Sequence, residues 1–424
     1  MTEEKFIFSA GIKKKIFLTM GAGLILLVIG IIMAMTGSHH GGHEGGGHEV
    51  AAHGGPTWQL RVIKDLWLNN VFFSGIAIVG VFFVAFNYIA QAGWGVVVKR
   101  VAESFGYFIP VGGVIMVILF ALFYHDLFHW THHYLYEPGP QFDEILDGKK
   151  GFLNIPFFAI RLVIYFVLWY WIWKNIRNNS LAEDLNADLK YHDKSIYWSA
   201  IFLLVFGITS STSAWDWVMS IDPHFFSTMF GWYVLASWFV SGLAMITLIV
   251  VTLKENGYLS VVNSSHLHDL GKYMFAFSIF WTYIWFAQFL LIYYANIPEE
   301  SIYFVERLKN DVYSPIFFMN LIINFGFPFL TLMAAEAKRQ AIILKIVAIA
   351  ILVGHWFDFY IMMTPPLLQQ EGGLDVKILF VELGITMIFG GTFFYFILNG
   401  LSKASLVPKN HPMLQESVHH SIYL

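Results

Sequence analysis

The fold of this chain is decided by a stretch that occurs twice. WDWVMSIDP (Trp215–Pro223) ends one long apolar run, and FDFYIMMTP (Phe357–Pro365) ends another. Each reads aromatic–Asp–aromatic, with a proline seven residues after the aspartate. A charge buried in a bilayer is costly. Two aspartates placed alike near the ends of two apolar runs therefore indicate a feature of a repeated unit.

A second pair of stretches supports the repeat. PFFAIRLVIYF (Pro156–Phe166) and PIFFMNLIINF (Pro315–Phe325) share their proline, two phenylalanines and a leucine in the same register, with Arg161 and Asn320 at the same place. Both pairs of matches occur in the same order and with the same predicted sidedness. They predict two four-helix units related by a parallel rather than an inverted repeat. The alternative is chance similarity among phenylalanine-rich helices.

The composition predicts an all-α polytopic membrane protein. Of 424 residues, 57% are hydrophobic and 13% are charged, and the mean hydropathy is +0.61. A soluble domain carries about 25% charged residues. The apolar blocks are long enough to cross a bilayer. We expect ten transmembrane helices, at about 16–36, 68–91, 105–124, 153–174, 196–217, 226–252, 270–295, 315–335, 340–363 and 377–400. The net charge of −4 gives no reason to expect a nucleic-acid partner.

The spans group into four segments. Residues 1–67 hold an anchor helix and a His/Gly-rich loop, 68–225 and 226–366 hold two parallel four-helix bundles (spans 2–5 and 6–9), and 367–424 hold the last helix and a tail. Most of the 25 Lys and Arg residues lie in segments on the side of the N-terminus, which predicts that both termini are cytoplasmic. The first span is long for a signal peptide and no clear cleavage site follows it, which favours an uncleaved anchor.

The chain offers little to hold a redox centre. It has no cysteine, which excludes a Cys-ligated iron–sulfur cluster and covalently attached haem c. Only His355 lies well inside a predicted span, so axial ligation of haem b is not expected. We therefore expect no cofactor bound by this chain.

Hydroxyl residues and an aspartate mark one face of the fifth span. Thr209, Thr212 or Ser213, and Asp216 recur at steps of three or four, which places them on one side of a helix. Lipid cannot satisfy a polar stripe, so it faces other helices or water. This stripe is either a proton pathway or a set of packing contacts with a locally hydrogen-bonded Asp216.

Other intramembrane polar residues extend this hypothesis. His355 and Asp358 are three residues apart and share a helix face, so they could pair, either to pass a proton or as a structural contact. Arg161 is either a counter-ion for Asp216 or Asp358, or it snorkels to the interface. The complete predicted proton pathway is Asp216, His355, Asp358, Arg161, Thr209, Thr212, Ser213, Tyr283 and Gln288.

Two histidine-rich stretches raise the question of metal binding. HHGGHEGGGHEVAAHGG (His39–Gly55) has no fixed ligand spacing and favours a solvated loop that becomes ordered on a partner. YHDLFHWTHHYLYEP (Tyr124–Pro138) has helical spacing and favours an amphipathic helix at the interface. We predict no metal site.

The ensemble of these features resembles a known family. Ten spans, two four-helix units, and the stretches WDWVMSIDPHFF (Trp215–Phe226), HDLFHWTHH (His125–His133) and GHWFDFY (Gly354–Tyr360) resemble the NrfD/PsrC-like membrane subunits. The chain is most similar to the ActF-type subunit of bacterial alternative complex III. Asp216, His355 and Asp358 match positions where the family places polar groups inside its bundles.

The resemblance implies a respiratory function. It implies a multi-pass subunit in a bacterial inner membrane, in lipid, within a quinol:electron-acceptor oxidoreductase. Its partners would be a second NrfD-like membrane subunit and iron–sulfur and multihaem c subunits, which would carry the haem c and iron–sulfur clusters used in quinol oxidation. The chain itself would not be catalytic alone, but would support assembly and conduct protons. The alternatives are a quinol-binding subunit, a purely structural anchor and an independent secondary transporter.

Overall fold

A computed structural model describes residues 4–37, 57–368 and 379–422, and this part of the chain is helical, apart from one isolated bridge between Lys5 and Ser405. The α-helices are α1 (Ala10–Gly37), α2 (Thr57–Ile89), α3 (Lys99–Ser104), α4 (Ile109–Leu127), α5 (Glu144–Lys149), α6 (Ile155–Leu185), α7 (Leu189–Trp217), α8 (Met229–Glu255), α9 (Ser264–Ala295), α10 (Pro298–Lys309), α11 (Tyr313–Leu321), α12 (Phe327–Leu332), α13 (Ala341–Met363), α14 (Leu379–Leu401) and α15 (Leu414–Val418).

Ten helical stretches in the described part of the chain are long and apolar enough to cross a membrane, as the sequence predicts; the third joins α3 and α4, and the eighth joins α11 and α12. The largest differences in bounds are at α2, which begins at Thr57 rather than near 68, and at α6, which continues to Leu185 rather than ending near 174. Hydropathy excludes both extensions because they contain charged residues. Those charges are nevertheless helical because they are paired inside the molecule, as Lys64 and Asp65 are.

The helices pack in two rings that follow the chain in the same order. In the first, α2 contacts α4 and α7, and α6 contacts α4 and α7. In the second, α8 contacts α9 and α13, α11 contacts α13, and α12 contacts α9. Helices α2 and α8 join the two rings, while α14 packs on α2 and on α1.

The contact between α2 and α8 depends on glycine. A Cβ atom at Gly75 would lie 2.0 Å from the Trp238 ring, and one at Gly242 would lie 2.4 Å from Val79. No side chain fits at such distances without displacing its neighbour. The two central helices can therefore approach closely only because small residues face large ones, as is common in membrane helix pairs.

Both terminal segments lie on one face of the molecule, which we call the terminal face. The Leu406 N–H donates to the Glu4 carbonyl at 2.9 Å, and Lys5 pairs with Ser405. The C-terminal segment, residues 402–422, then crosses the ends of several helices. Lys409 N–H bonds to Asp184 at 2.9 Å, and Asn263 donates to the His420 carbonyl at 2.7 Å.

The opposite face holds the largest departures from the sequence prediction. The interfacial helix predicted at Tyr124–Pro138 is wrong, because α4 ends at Leu127 and two short 3-10 helices follow, His129–Thr131 and His133–Tyr136. Thr131 closes the first turn by donating to the Phe128 carbonyl at 2.7 Å. An unpredicted helix, α10, lies here instead, with acidic residues in its first turn and basic residues in its last. The predicted His39–Gly55 loop lies outside the described residues.

The eighth span is interrupted. One turn of π-helix, Ile322–Gly326, separates α11 from α12, and Pro328 is the second residue after it. Proline removes a backbone donor and crowds the carbonyl four residues earlier, which a wider turn relieves. The corresponding fourth span, α6, is continuous from Ile155 to Leu185. Such π-turns inside helices are frequent at functional sites.

Candidate functional site

Asp358 lies at the centre of a buried polar cluster in the second ring. It is fully buried on α13 and accepts hydrogen bonds from four neutral side chains. Ser237 and Trp281 donate to Oδ2 at 2.8 and 2.9 Å, while Tyr233 and Asn320 donate to Oδ1, the latter at 2.8 Å. Within the described part of the chain no Lys or Arg pairs with this carboxyl group. Four neutral donors therefore surround this carboxyl group, with the His355 ring 3.7 Å away.

His355 is joined to Asp358 through a serine. The ring Nδ1 lies 3.7 Å from the carboxylate, which is longer than a hydrogen bond. It lies 2.9 Å from the Ser237 hydroxyl, which also contacts Asp358. The pairing predicted from the i, i+3 spacing is thus made through an intermediate hydroxyl, which can both accept and donate a proton. The other ring nitrogen, Nε2, is buried without a partner among the described residues.

The cluster extends away from Asp358 along α11 toward the middle of the span. Asn324, in the π-helical turn, donates to Asn320 Oδ1, and Asn320 in turn donates to Asp358. Gly354 makes room for this contact, since a Cβ there would lie 2.1 Å from Asn324 Oδ1. Asn324 Oδ1 and the Ser278 hydroxyl are buried with no partner in the part of the chain that is described. Such atoms commonly bind internal water.

Asp216 has a different environment in the first ring. Arg161 bonds to both carboxylate oxygens, at 2.8 and 2.7 Å, and Tyr165 donates to Oδ2 at 2.9 Å. The guanidinium also stacks on Phe152 and Phe157, at 4.0 and 4.1 Å from the ring centres. Arg161 is therefore the counter-ion of Asp216. A bidentate pair of this kind has a fixed geometry and is stronger than a bond between neutral groups.

The aligned positions of the sequence repeat make corresponding contacts. Arg161 and Asn320 occupy the same register of the first stretch, and Asp216 and Asp358 occupy the same register of the second. In the structure Arg161 contacts Asp216, and Asn320 contacts Asp358. A permanent cation in one ring is thus replaced by a neutral amide in the other.

The predicted hydroxyl stripe on α7 is arranged locally. Thr209, Thr212 and Ser213 donate to carbonyls of their own helix, at 2.8, 3.1 and 3.1 Å. Thr209 also accepts from Trp169 Nε1 at 2.9 Å, which ties α7 to α6. These bonds are those of packing residues in a membrane helix.

The two predicted residues on α9 have different surroundings. Gln288 is buried, and its Nε2 has no partner among the residues described. It is seven residues beyond Trp281, so both lie on the same face of the helix, two turns apart. Tyr283 is 66% exposed and is not part of the protein interior. Only Gln288 is thus placed to extend the Asp358 cluster.

A second buried ionic cluster was not predicted. Near the start of α2, Lys64 lies 2.6 Å from Asp65, and Arg61 lies 2.7 Å from Glu382 on α14. Lys64, Asp65 and Glu382 are almost fully buried. The sequence prediction leaves Arg61 and Lys64 outside the second span, because a hydropathy window ends where charged residues begin. The signal that could have identified them is the i, i+4 spacing of the oppositely charged Arg61 and Asp65.

A third cluster, also unpredicted, lies near the terminal face. Glu103 accepts from Arg177 at 2.5 Å and from Ser180 at 2.7 Å, and Lys99 lies 3.6 Å away. All four side chains are buried. The cluster joins α3 to α6, where charges need partners because water is excluded.

Beside Asp216 the molecule has an open pocket on the face opposite the termini. Lys149, Phe152, Trp215, Ser220 and Phe225 are among the residues that line it. Burial lowers the pKa of Lys149, although Asp222 and Asp143 oppose this. The walls of the pocket are largely aromatic, with one amine among them. This Lys149 amine donates to the Pro223 carbonyl at 2.6 Å.

A polar contact between Asp143 and His224 lies next to Pro223, which lines this pocket. Asp143 caps α5 by accepting from the Leu146 N–H at 3.0 Å, and lies 2.6 Å from His224. Burial would raise the pKa of Asp143, but the hydrogen bonds from Leu146 and His224 outweigh it and hold the pKa below its usual value.

No family model and no curated protein matches the sequence. The chemistry of the site is therefore inferred from its geometry. A neutral hydrogen-bonded pocket around one carboxyl group, linked to a histidine and to amides, can bind and release a proton.

Proposed function

We propose that the chain is a membrane subunit of a quinol:electron-acceptor oxidoreductase, without a redox centre of its own, and that it conducts protons through the Asp358 cluster. The observation that carries this proposal is the set of contacts of Asp358, which is fully buried and surrounded by neutral donors. Intramembrane ionisable residues mark proton or substrate pathways more often than structural contacts. The oxidoreductase assignment itself rests on the resemblance to NrfD/PsrC-like subunits.

The proposed arrangement comprises two parallel four-helix bundles in the bacterial inner membrane, with both termini cytoplasmic. The order of helix contacts in the two rings and the matching contacts of Asp216 and Asp358 support the bundles. The packing of the two terminal segments against each other supports a common side for both ends. Partner subunits would carry the haem c and iron–sulfur clusters.

The two aspartates have separate roles in this proposal. Asp216 is held by Arg161 and is structural, while Asp358 exchanges protons with the face opposite the termini. His355, Ser237, Asn320 and Asn324 would relay the proton between Asp358 and the membrane interior. The path is a half-channel, since among the residues described the polar line leads from Asp358 toward the π-helical turn of the eighth span.

The test is the proton-to-electron ratio of the complex in sealed vesicles. Asp358→Asn keeps the size of the side chain and cannot titrate. We expect the variant complex to assemble and to oxidise quinol when the membrane is uncoupled, while proton release per electron falls. Asp216→Asn is the matched control, and it should lower stability without changing the ratio in the complex that assembles.

Each other result favours a named alternative. An unchanged ratio in Asp358→Asn would favour the structural anchor. Loss of quinol oxidation even in uncoupled membranes would favour the quinol-binding subunit, for which the pocket beside Asp216 offers aromatic walls and the Lys149 amine. Solute uptake by the chain reconstituted alone would favour a transporter, although the described spans contain one π-helical interruption rather than a matched pair.

A further inference from the structure

Three side chains from distant parts of the sequence converge near the terminal face. Glu183 lies near the end of α6, His192 near the start of α7, and His411 in the C-terminal segment. One potential ligand atom from each lies within 4.8 Å of the other two. The Glu183 Oε1 and His192 Nδ1 atoms are 3.6 Å apart. Glu183 and His411 are buried, and the His192 side chain is 12% exposed.

The atoms that converge are unsatisfied. Both carboxylate oxygens of Glu183 and the Nδ1 atom of His192 are buried with no hydrogen-bond partner in the described segments. Glu183 is only 2% exposed. A buried carboxylate without donors is costly, so such a group indicates a bound ion or water.

The ligand set and spacing fit a metal ion. Two imidazole nitrogens and one carboxylate are a common set for zinc, which binds them at about 2.0–2.2 Å and so places ligand atoms about 3.3 Å apart in a tetrahedron. The separation of Glu183 and His192 is already close to that value. The Met413 N–H donates to His411 Nδ1 at 3.2 Å, and metal binding would break this contact, because that nitrogen would then carry either the metal or a proton.

A fourth ligand position has room. Two of the three side chains, His192 and His411, line a small cavity together with Tyr88 and Lys99, among others. The nearby amine of Lys99 is already engaged, since it donates to the Tyr88 hydroxyl at 2.7 Å and lies near Glu103. The cavity can therefore hold a water molecule on the metal without a free ammonium group at the site.

We propose that Glu183, His192 and His411 bind a first-row divalent cation, with Zn²⁺ as the best match, and that the ion fastens the C-terminal segment to the connection between α6 and α7. The segment already contacts this connection through Lys409 and Asn410, which bond to Asp184 and to the Glu183 carbonyl. The site would add a strong link beside the hydrogen bonds that already hold this part of the tail. It is independent of the proposed function.

The test uses the purified complex, treated with chelator and then supplied with zinc chloride. Wild type should retain one zinc ion per chain more than Glu183→Gln, His192→Ala or His411→Ala. Zinc at about ten times its dissociation constant should slow amide exchange of residues 408–414 about tenfold in wild type and leave the variants unchanged. His419→Ala removes an exposed histidine of the same segment and should behave as wild type.

Local readouts separate this site from other histidines. The His39–Gly55 stretch also offers ligands to zinc, so only the difference between wild type and the variants counts toward the site. Equal zinc contents in wild type and Glu183→Gln would overturn the proposal. Zinc-independent exchange of residues 408–414 in wild type would overturn it as well. Glu183→Gln decides the outcome if the histidine variants fail to assemble, because glutamine keeps the shape of the side chain.

Discussion

The side-chain amide of Asn320 lies 2.8 Å from Asp358, at the register where Arg161 contacts Asp216 in the first ring. The two aspartates are similar in sequence and differ in their partners. A bidentate guanidinium bonds to both carboxylate oxygens of Asp216. Asp358 has only neutral donors and a histidine linked through Ser237.

Removal of Arg161 should destabilise the protein strongly. Arg161→Met leaves Asp216 buried without its counter-ion, and breaking a buried pair in this way costs about 3–5 kcal/mol. The free energy of unfolding can be followed by thermal or denaturant unfolding in detergent. The double variant Arg161→Met with Asp216→Leu should recover part of the loss, because no buried charge remains. Equal losses in the single and double variants would contradict this account.

Gly354→Ala should displace Asn324 from the Asp358 cluster. The new methyl group would lie 2.1 Å from Asn324 Oδ1, which is too close for any contact. If the amides relay protons, proton release per electron in reconstituted vesicles should fall. Gly326 lies in the same π-helical turn as Asn324. A methyl group added by Gly326→Ala meets nothing within 4 Å, so this variant serves as the control. A normal ratio in an assembled Gly354→Ala complex would remove Asn324 from the pathway.

Gly75→Ala should weaken the contact between the two rings. Its methyl group would lie 2.0 Å from the Trp238 ring, and overpacking of this kind costs about 1–3 kcal/mol. Thermal unfolding of the purified protein measures the loss. Gly207→Ala adds a methyl group where nothing lies within 4 Å, so the control should be neutral or slightly stabilising, since alanine favours helix. Similar melting temperatures for the two variants would show that Trp238 moves freely.

The attachment of α5 should depend on pH. The folded-state pKa of Asp143 is lowered, so its stabilising contribution is complete above the unfolded value of about 3.9 and is lost as the pH falls through the folded value. Amide exchange of residues 144–147, corrected for its intrinsic pH dependence, should accelerate below about pH 4.

Asp143→Asn provides the control for this pH effect. Asparagine caps a helix as well as aspartate does but does not titrate in this range. Its exchange should therefore show no added step below pH 4. An identical step in the variant would mean that another group controls the attachment of α5.

The sequence by itself determined the membrane class and the ten membrane-length helices, because hydropathy and helix length are local properties of the chain. It also identified the register of the repeat, since the proline, aromatic and aspartate positions recur at fixed spacing. It failed locally where charges interrupt a helix, as at Arg61 and Lys64, and where short turns replace a helix, as at His129–Thr131. Helix α10 was missed because amphipathic segments of twelve residues give a weak signal.

Only the tertiary structure decided which groups meet. The sequence left Arg161 with two possible partners or none, and packing of α6 against α7 selects Asp216. Ser237 lies more than a hundred positions before His355 in the chain, yet it joins that ring to Asp358. Glu183 and His411 likewise meet across a large part of the sequence. A hydrogen bond or a ligand set requires contact within a few ångströms, and spacing along one helix carries no information about a neighbouring helix.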